Sequence, residues 1–180
     1  MILGLDISTS ITGFCILDQE SEIIRCDAWD LRNKKIYNSE FKKAAYIKEQ
    51  LCSIKAQYPI QKVYIEKPFI FFAGGGSSGK TMAILQRFNG IISWIVKETF
   101  VGDPFYLTAQ TARRLLNIKV PRGKKAKKEV ILWLLDNVPS FSVEYTKFGN
   151  PKPKYFDIAD AIVIAKAGLA TLHEKQNPNS

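Results

Sequence analysis

The stretch Ile2-Leu3-Gly4-Leu5-Asp6 decides the fold, because it is an apolar run of strand length that ends on an acid. Such a run, followed by a turn, is typical of a buried strand. A polar turn rich in serine and threonine follows at 8–13 and is closed by Gly13. The chain then returns as a second strand at 14–17 and a third at 22–26. The sequence therefore opens with a predicted antiparallel meander.

Helical and strand patterns alternate after the meander. They predict a helix at 39–58, a strand at 62–66, a helix at 81–98, a strand at 105–108, and helices at 110–116, 125–135 and 157–174. A glycine- and serine-rich loop runs to Gly79, and the proline-bearing segment 138–156 is predicted to be irregular. The order β-β-β-α-β-α-β-α-α-α indicates an α/β fold, a mixed five-stranded sheet with helices on both faces. We expect one domain at 1–175 and a frayed tail at 176–180.

Composition narrows the class of protein. The 180 residues fit one domain, and no apolar run is long enough to span a bilayer. The start of the chain lacks the basic flank of a secretion signal, so we expect a soluble, intracellular protein. The three cysteines form no Cys-x-x-Cys pair and are predicted to be buried free thiols. A single histidine argues against zinc and against Ser-His or Cys-His catalysis.

Positive charge is concentrated in one part of the chain. The formal net charge is +9, and no acid occurs between Asp103 and Glu129. That interval contains eight cations, which are Arg113, Arg114, Lys119, Arg122, Lys124, Lys125, Lys127 and Lys128. A solvated helix face normally mixes charges of both signs, so this segment predicts contact with nucleic acid. Surface lysines that serve solubility alone are the alternative interpretation.

Four carboxylates occur where acids are costly. Asp6 and Glu66 end predicted strands, and the spacing of Asp157 and Asp160 places both on one face of an otherwise apolar helix. Buried carboxylates need a cation or hydrogen bonds, and ligands that are all oxygen suit magnesium or manganese rather than zinc. Each acid also has a local interpretation. Asp157 could be a helix N-cap, Asp160 a first-turn acid, Asp6 a turn cap and Glu66 a surface acid.

Several motifs together resemble the RuvC family of Holliday junction resolvases. They are Gly4-Leu5-Asp6-Ile7-Ser8 with Gly13, Tyr64-Ile65-Glu66, Leu85-Gln86-Arg87-Phe88-Asn89-Gly90, Arg122-Gly123-Lys124-Lys125-Ala126-Lys127-Lys128 and Asp157-Ile158-Ala159-Asp160-Ala161. The resemblance covers about residues 1–170 and lies in the order and spacing of these motifs. It implies an RNase H-like fold.

The resemblance also implies an activity. Members of the family cut branched DNA, usually as homodimers, and Asp6, Glu66, Asp157 and Asp160 would hold two Mg²⁺ ions, with Mn²⁺ as a substitute. The two ions would polarise the scissile phosphate, generate hydroxide and stabilise the leaving oxygen, which leaves a 5′-phosphate and a 3′-hydroxyl. A lysine near the phosphate would be Lys127 or Lys128. The spacing departs by one residue from the family pattern, so this choice stays open.

The resemblance also implies that an aromatic residue after the glutamate contacts unpaired bases, and Phe69 is the candidate for that role. Base stacking on an aromatic ring tolerates any sequence. For the nearby Phe71 and Phe72, ordinary packing is an equal alternative. An RNA-processing nuclease of the same fold remains the alternative within this superfamily, and a non-catalytic DNA-binding module would leave the four acids unexplained.

A second motif indicates a different function. Residues 74–81 match the Walker A pattern of nucleotide-binding proteins in full, and a helix follows them. Such a site also needs a magnesium-binding aspartate after an apolar strand, whereas Leu134-Leu135-Asp136 belongs to a predicted helix. We therefore expect no nucleotide cofactor, and nucleotide binding remains the alternative function. Lys80 in this loop is instead predicted to contact a DNA phosphate.

Overall fold

The computed structural model describes residues 1–68, 79–100 and 102–176, with side chains to residue 172. Phe69, Phe71, Phe72, most of the Walker-like segment and the last four residues lie outside the described residues. Predictions that concern them therefore stay predictions.

The elements follow the predicted order. They are β1 (Ile2–Asp6), β2 (Ile11–Leu17), β3 (Ile23–Asp30), α1 (Glu40–Gln57), β4 (Lys62–Glu66), α2 (Gly79–Thr99), β5 (Phe105–Leu107), α3 (Ala109–Leu115), α4 (Ala126–Asn137) and α5 (Lys154–Gln176). Ser39 caps α1, because its side chain accepts a hydrogen bond from the backbone N–H of Lys42. No helix within the described ranges is long and apolar enough to cross a bilayer.

The five strands form one mixed sheet in the order β3-β2-β1-β4-β5. The meander pairs β1 with β2 and β2 with β3 in antiparallel fashion. The strands β4 and β5 then join in parallel on the other side of β1. Parallel pairing needs a crossover, and α1 and α2 supply the two crossovers. The predicted mixed five-stranded sheet is confirmed.

Helices cover both faces of the sheet. Alternate side chains of a strand point to opposite faces, so Leu3 and Leu5 pack in one core with α1 and α2. Ile2, Cys15 and Leu17 pack in the other core, together with α3, α4 and α5. The apolar helix α5 lies across β1 and β2 and is the main cover of that face. The predicted coverage of both faces is therefore confirmed.

Strand pairing corrects a predicted boundary near the amino terminus. The strand β2 begins at Ile11 rather than Phe14, so Thr12 and Gly13 lie in the sheet and not in the turn. Gly13 pairs with Asp6 on one side and with Ala28 on the other, which extends the ladder past the predicted turn. Polar residues were interpreted as a turn, but pairing with two neighbouring strands decided the conformation.

The start of α5 and the cysteines give two further corrections. The helix begins at Lys154, so Asp157 lies in its first turn and is not the N-cap. Of the three cysteines predicted to be buried, Cys15 is buried, Cys26 is half-buried and Cys52 is exposed. Cys52 follows the buried Leu51 on α1 and faces solvent because adjacent helical positions point in different directions.

Candidate metal centre

Two acids meet because their strands are parallel neighbours. Leu5 of β1 pairs with Ile65 of β4, so the next residues, Asp6 and Glu66, end these strands at the same edge of the sheet. Ligand sites of α/β sheets form outside the carboxyl ends of parallel strands. The suggestion that Glu66 is a surface acid is wrong, because its side chain is half-buried at this edge.

Two glycines let α5 approach the sheet closely enough to bring its acids to that edge. A Cβ on Gly4 would lie 2.5 Å from the carbonyl oxygen of Ala161, and a Cβ on Gly13 would lie 2.0 Å from that of Asp157. Both distances are well below van der Waals contact, so these positions accept no side chain without movement of the helix. The sequence motif included both glycines, and the structure supplies their role in packing.

Three carboxylates converge at this edge. Single oxygen atoms of Asp6, Glu66 and Asp160 lie within 4.8 Å of one another. Lys127 of α4 extends to the same place, and its Nζ lies 3.1 Å from Oδ2 of Asp160 and 3.8 Å from Oδ1 of Asp157. Lys127 thus links Asp157 to the cluster. Within the described part of the chain, the ion pairs to Asp157 and Asp160 come from Lys127 and not from the neighbouring Lys128, although both lysines are exposed.

The environment favours the protonated form of these acids when no metal is bound. Burial raises the pKa of Glu66 to about 7, with Asp160 acting in the same direction, and burial raises that of Asp157 to about 6. Burial, reinforced by Glu66 and Asp160, holds the pKa of Asp6 well above its usual range. Burial also raises the pKa of Asp160, although Lys127 opposes this rise. Burial, together with repulsion between the acids, therefore disfavours full ionisation of the cluster.

The pKa of Lys127 reflects the same surplus of negative charge. Burial by itself lowers it, but the carboxylates of Asp160, Asp6 and Asp157 outweigh burial and raise the pKa above its ordinary value. Lys127 is therefore a permanent cation at the edge of the cluster. Lys127 alone forms ion pairs with any of these four acids in the described part of the chain, so a divalent cation would supply charge that the cluster accepts.

The ligand chemistry fits a hard divalent cation. The converging groups offer oxygen atoms only, and oxygen ligands suit Mg²⁺ or Mn²⁺. Asp6, Glu66 and Asp160 would hold such an ion, whereas Asp157 lies outside this group of converging oxygens.

The loop after β1 is stabilised by hydrogen bonds from its side chains to its own backbone. Oγ of Ser8 donates to the carbonyl of Ile11 at 2.7 Å and accepts from its N–H at 3.0 Å. Oγ1 of the buried Thr12 donates to the carbonyl of Ser8 at 3.0 Å. Lys43 of α1 donates to the carbonyl of Thr9. These bonds hold the turn, and with it the acid that ends β1, in a defined position.

One of the predicted DNA-binding cations, Arg113, lies within electrostatic reach of the candidate site. Arg113 and Arg114 form the last turn of α3, and the positive charge of the half-buried Arg113 opposes the rise in the pKa of Glu66 and Asp160. The other described members of this set are exposed, namely Lys80, Arg114, Lys119, Arg122, Lys124 and Lys125. Lys80 lies in the first turn of α2. Arg113 and Lys127 therefore connect the basic segment to the carboxylates.

Arg32, which follows β3, lies near the candidate site although no sequence motif includes it. Its Nε and Nη2 donate to the two carboxylate oxygens of Asp30 at 2.9 and 2.5 Å. Its charge also opposes the rise in the pKa of Asp157, so Arg32 lies within electrostatic reach of the cluster. Nothing in the local sequence indicates this proximity, because it depends on the packing of α5 across the meander.

The raised pKa values predict how metal and pH act on stability. Glu66 has a pKa of about 7 in the folded protein and an ordinary value of 4.5, so its contribution to the free energy of unfolding declines as pH rises through that interval. Mg²⁺ should offset this loss once the cluster is ionised. We expect Mg²⁺ to raise Tm by about 5 °C near pH 8 and to have little effect near pH 5, measured by thermal melts.

The control for this experiment is the Asp160→Asn variant, which removes one ligand charge. It should lose most of the metal-dependent shift in Tm near pH 8. An equal Mg²⁺ effect at both pH values, or an undiminished effect in the variant, would contradict a metal site built from these carboxylates.

Comparison with solved structures finds this arrangement of elements in Holliday junction resolvases. T. thermophilus RuvC in complex with a Holliday junction substrate matches with a TM-score of 0.66 and 12% identity, over 97% of this chain and 94% of that one. The yeast mitochondrial Holliday junction resolvase matches with a TM-score of 0.62 and 14% identity, over 98% of this chain and 80% of that one. No protein-family model and no curated protein matches the sequence.

A viral enzyme gives a more distant match. The fowlpox virus resolvase, solved with Holliday junction DNA, has a TM-score of 0.50 and 17% identity, over 95% of this chain and 97% of that one. All of these identities are low, so the likeness concerns the fold. The chain has the RuvC-like RNase H fold that its sequence motifs predict.

Proposed function

We propose that the protein is a divalent-metal-dependent endonuclease that resolves four-way and other branched DNA. The observation that carries this proposal is the convergence of Asp6, Glu66 and Asp160 within 4.8 Å of one another. The cluster lies at the strand edge of a fold shared, over 97% of the chain, with a RuvC bound to its junction substrate. An all-oxygen acidic cluster beside a basic segment suits hydrolysis of a phosphodiester.

In this proposal, the four acids act as ligands for Mg²⁺, two ions per site, with Mn²⁺ as a substitute. Asp6, Glu66 and Asp160 hold the first ion, and Asp157 completes the site for the second. Bound there, the ions supply charge stabilisation at the scissile phosphate and at the leaving oxygen. Without them, the raised pKa values show that these carboxylates resist ionisation together.

Lys127 is the lysine that we assign to the scissile phosphate. Its contact of 3.1 Å with Asp160 places a cation beside the cluster, and Lys128 makes no such ion pair among the described residues. A positioned cation stabilises the negative charge that develops on the phosphate in the transition state. Water adds to phosphorus, the bond from phosphorus to the 3′ oxygen breaks, and that oxygen leaves with a proton. The products are a 5′-phosphate and a 3′-hydroxyl.

We propose that the basic segment binds the DNA backbone. Arg113, Arg114, Lys119, Arg122, Lys124 and Lys125, together with Lys80, contact phosphates. Such contacts release counterions, and their strength does not depend on the DNA sequence. Preference for branched DNA must therefore come from geometry and from contact with unpaired bases, which remains the role proposed for Phe69.

We further propose a homodimer, because a two-fold dimer presents two equivalent sites to the two exchanging strands of a junction. The apolar helix α2 is the candidate interface that we consider. Phe88 and Ile92 of that helix are 0% exposed and belong to the core, so they are not available to a partner. Trp94, which is 61% exposed, is the apolar side chain of α2 that could contribute to an interface.

The nucleotide-binding alternative finds no support in the described residues. Asp136 is exposed on α4 and does not end a strand, so it does not provide the magnesium ligand that a Walker A site requires. An RNA-processing nuclease of the same fold differs from a resolvase only in its substrate. A substrate panel separates the two functions.

The panel tests purified protein with Mg²⁺ on four-way junction, flap, linear duplex and RNA–DNA hybrid substrates. We expect paired cuts in the junction at a rate at least about tenfold above the duplex, since structure selectivity requires a difference of about 1.4 kcal/mol in the activation free energy. The ends should carry 5′-phosphate and 3′-hydroxyl groups. Faster cleavage of the hybrid than of the junction, by a monomer, would refute the resolvase assignment and favour RNA processing.

A further inference from the structure

The segment between α4 and α5 contains an ordered hairpin at 144–152, where the sequence predicted only irregular structure. Tyr145 forms an antiparallel bridge with Pro151. The N–H of Thr146 donates to the carbonyl of Asn150 at 2.7 Å, and that of Gly149 donates to the carbonyl of Thr146 at 3.0 Å. Gly149 has φ +74°, a left-handed conformation that glycine adopts at low cost. These bonds define a tight turn with residues 147–149 at its tip.

The tip of this hairpin presents an aromatic ring to solvent. Phe148 is 77% exposed, and Tyr145 on one arm of the hairpin is 52% exposed. Nζ of Lys147 lies 5.0 Å from the centroid of the Phe148 ring. An exposed ring held on a hydrogen-bonded turn pays little conformational entropy on binding, so it is suited to recognition.

The base of the hairpin is fixed to the first turn of α5. Glu144 accepts a hydrogen bond from the hydroxyl of Tyr155 at 2.8 Å and an ion pair from Lys152 at 2.5 Å. Tyr155 precedes Asp157 by two residues on the same helical turn. The first turn of α5 therefore positions both the hairpin and Asp157. Lys154, with Nζ 4.0 Å from Glu144, adds a further cation at the base.

Resting on the proposed function, we propose that this hairpin is a second base-contacting element, in which Phe148 stacks on an unpaired nucleobase of branched DNA. Lys147 pairs with a phosphate next to that base. Stacking on an aromatic ring accepts any base, and a neighbouring cation adds electrostatic attraction to the backbone. The hairpin acts beside the site because its base adjoins the turn that carries Asp157.

The positive charge of the hairpin surface favours nucleic acid as its ligand. The three lysines of the hairpin and its base, Lys147, Lys152 and Lys154, outnumber the two acids that pair with them, Glu144 and Asp27. Glu144 is itself engaged by Lys152 and Tyr155, so it does not oppose an approaching phosphate. Exposed aromatic rings interleaved with cations suit a single-stranded nucleic acid. Its bases can stack on the rings, and its negatively charged backbone can pair with the cations.

The experiment measures binding to a four-way junction that carries 2-aminopurine at an unpaired branch-point base, in an Asp160→Asn background that prevents cleavage. Phe148→Ala should raise Kd for the junction by about tenfold and leave Kd for linear duplex within about twofold. It should also abolish the change in 2-aminopurine fluorescence on binding, whereas Phe148→Trp should preserve it. Lys147→Ala should reduce the slope of log Kd against log salt by about one.

The matched control is Phe41→Ala, because Phe41 is 74% exposed but belongs to α1 on the opposite face of the sheet. An unchanged Kd for the junction in Phe148→Ala, or an equal rise in Kd in Phe41→Ala, would overturn this inference alone. If sedimentation shows that Phe148→Ala converts a dimer to a monomer, the inference is also overturned, because Phe148 would then contact a second copy of the chain. A wild-type protein without junction preference would overturn the proposed function as well.

Discussion

Replacing Asp160 by asparagine is expected to lower the rate of junction cleavage by about three orders of magnitude while leaving Kd for the junction within about threefold. The substitution preserves shape and removes one charge from the cluster formed with Asp6 and Glu66. Loss of metal-dependent charge stabilisation of about 4 kcal/mol corresponds to this decrease in rate. Single-turnover cleavage with saturating protein measures the chemical step, and fluorescence anisotropy measures binding. Asp6→Asn and Glu66→Gln should behave in the same way.

The control for this prediction is Asp136→Asn, which removes an exposed acid of α4 outside the cluster and should cleave at the wild-type rate. The same assay distinguishes the two lysines, since Lys127→Ala should slow cleavage more than Lys128→Ala if the contact with Asp160 is functional. Wild-type turnover by Asp6→Asn, Glu66→Gln and Asp160→Asn would end the assignment of this cluster as the catalytic site.

Gly13→Ala is expected to reduce both stability and activity strongly. The added Cβ would lie 2.0 Å from the carbonyl oxygen of Asp157 and 2.4 Å from its carbonyl carbon, and backbone atoms cannot rotate away from it. The first turn of α5 must therefore move off the sheet, at a cost of about 3 kcal/mol, which corresponds to a fall in Tm of about 6–12 °C. The displacement also separates Asp157 from the strand acids, so cleavage should fall by about 100-fold in protein that remains folded.

The matched control is Gly90→Ala in the exposed middle of α2, where an added Cβ meets nothing within 4 Å. Alanine there should be neutral or should increase the free energy of unfolding by up to about 1 kcal/mol, because it favours the helix. Thermal melts and cleavage assays on both variants separate the two cases. A Gly13→Ala protein with wild-type Tm and activity would show that α5 does not depend on this close approach.

Local sequence was sufficient for the order of the elements and for singling out the acids that converge in the structure. Apolar runs and helical periodicity predicted the ten elements in order, because burial on one face imposes a period that any short window reveals. The acids at the ends of β1 and β4 stood out because they terminate apolar strands. The three-residue spacing of Asp157 and Asp160 placed both on one helical face for the same local reason.

Boundaries and long-range contacts required the tertiary structure. Gly13 looked like the end of a turn, but pairing with both β1 and β3 placed it in a strand. The sequence left Lys127 and Lys128 equivalent, whereas the orientation of α4 against α5 brings Lys127 to Asp160. Arg32 near Asp157 had no local signal. Each of these outcomes depends on segments distant in sequence, and the free energy that selects them comes from packing rather than from local conformational preference.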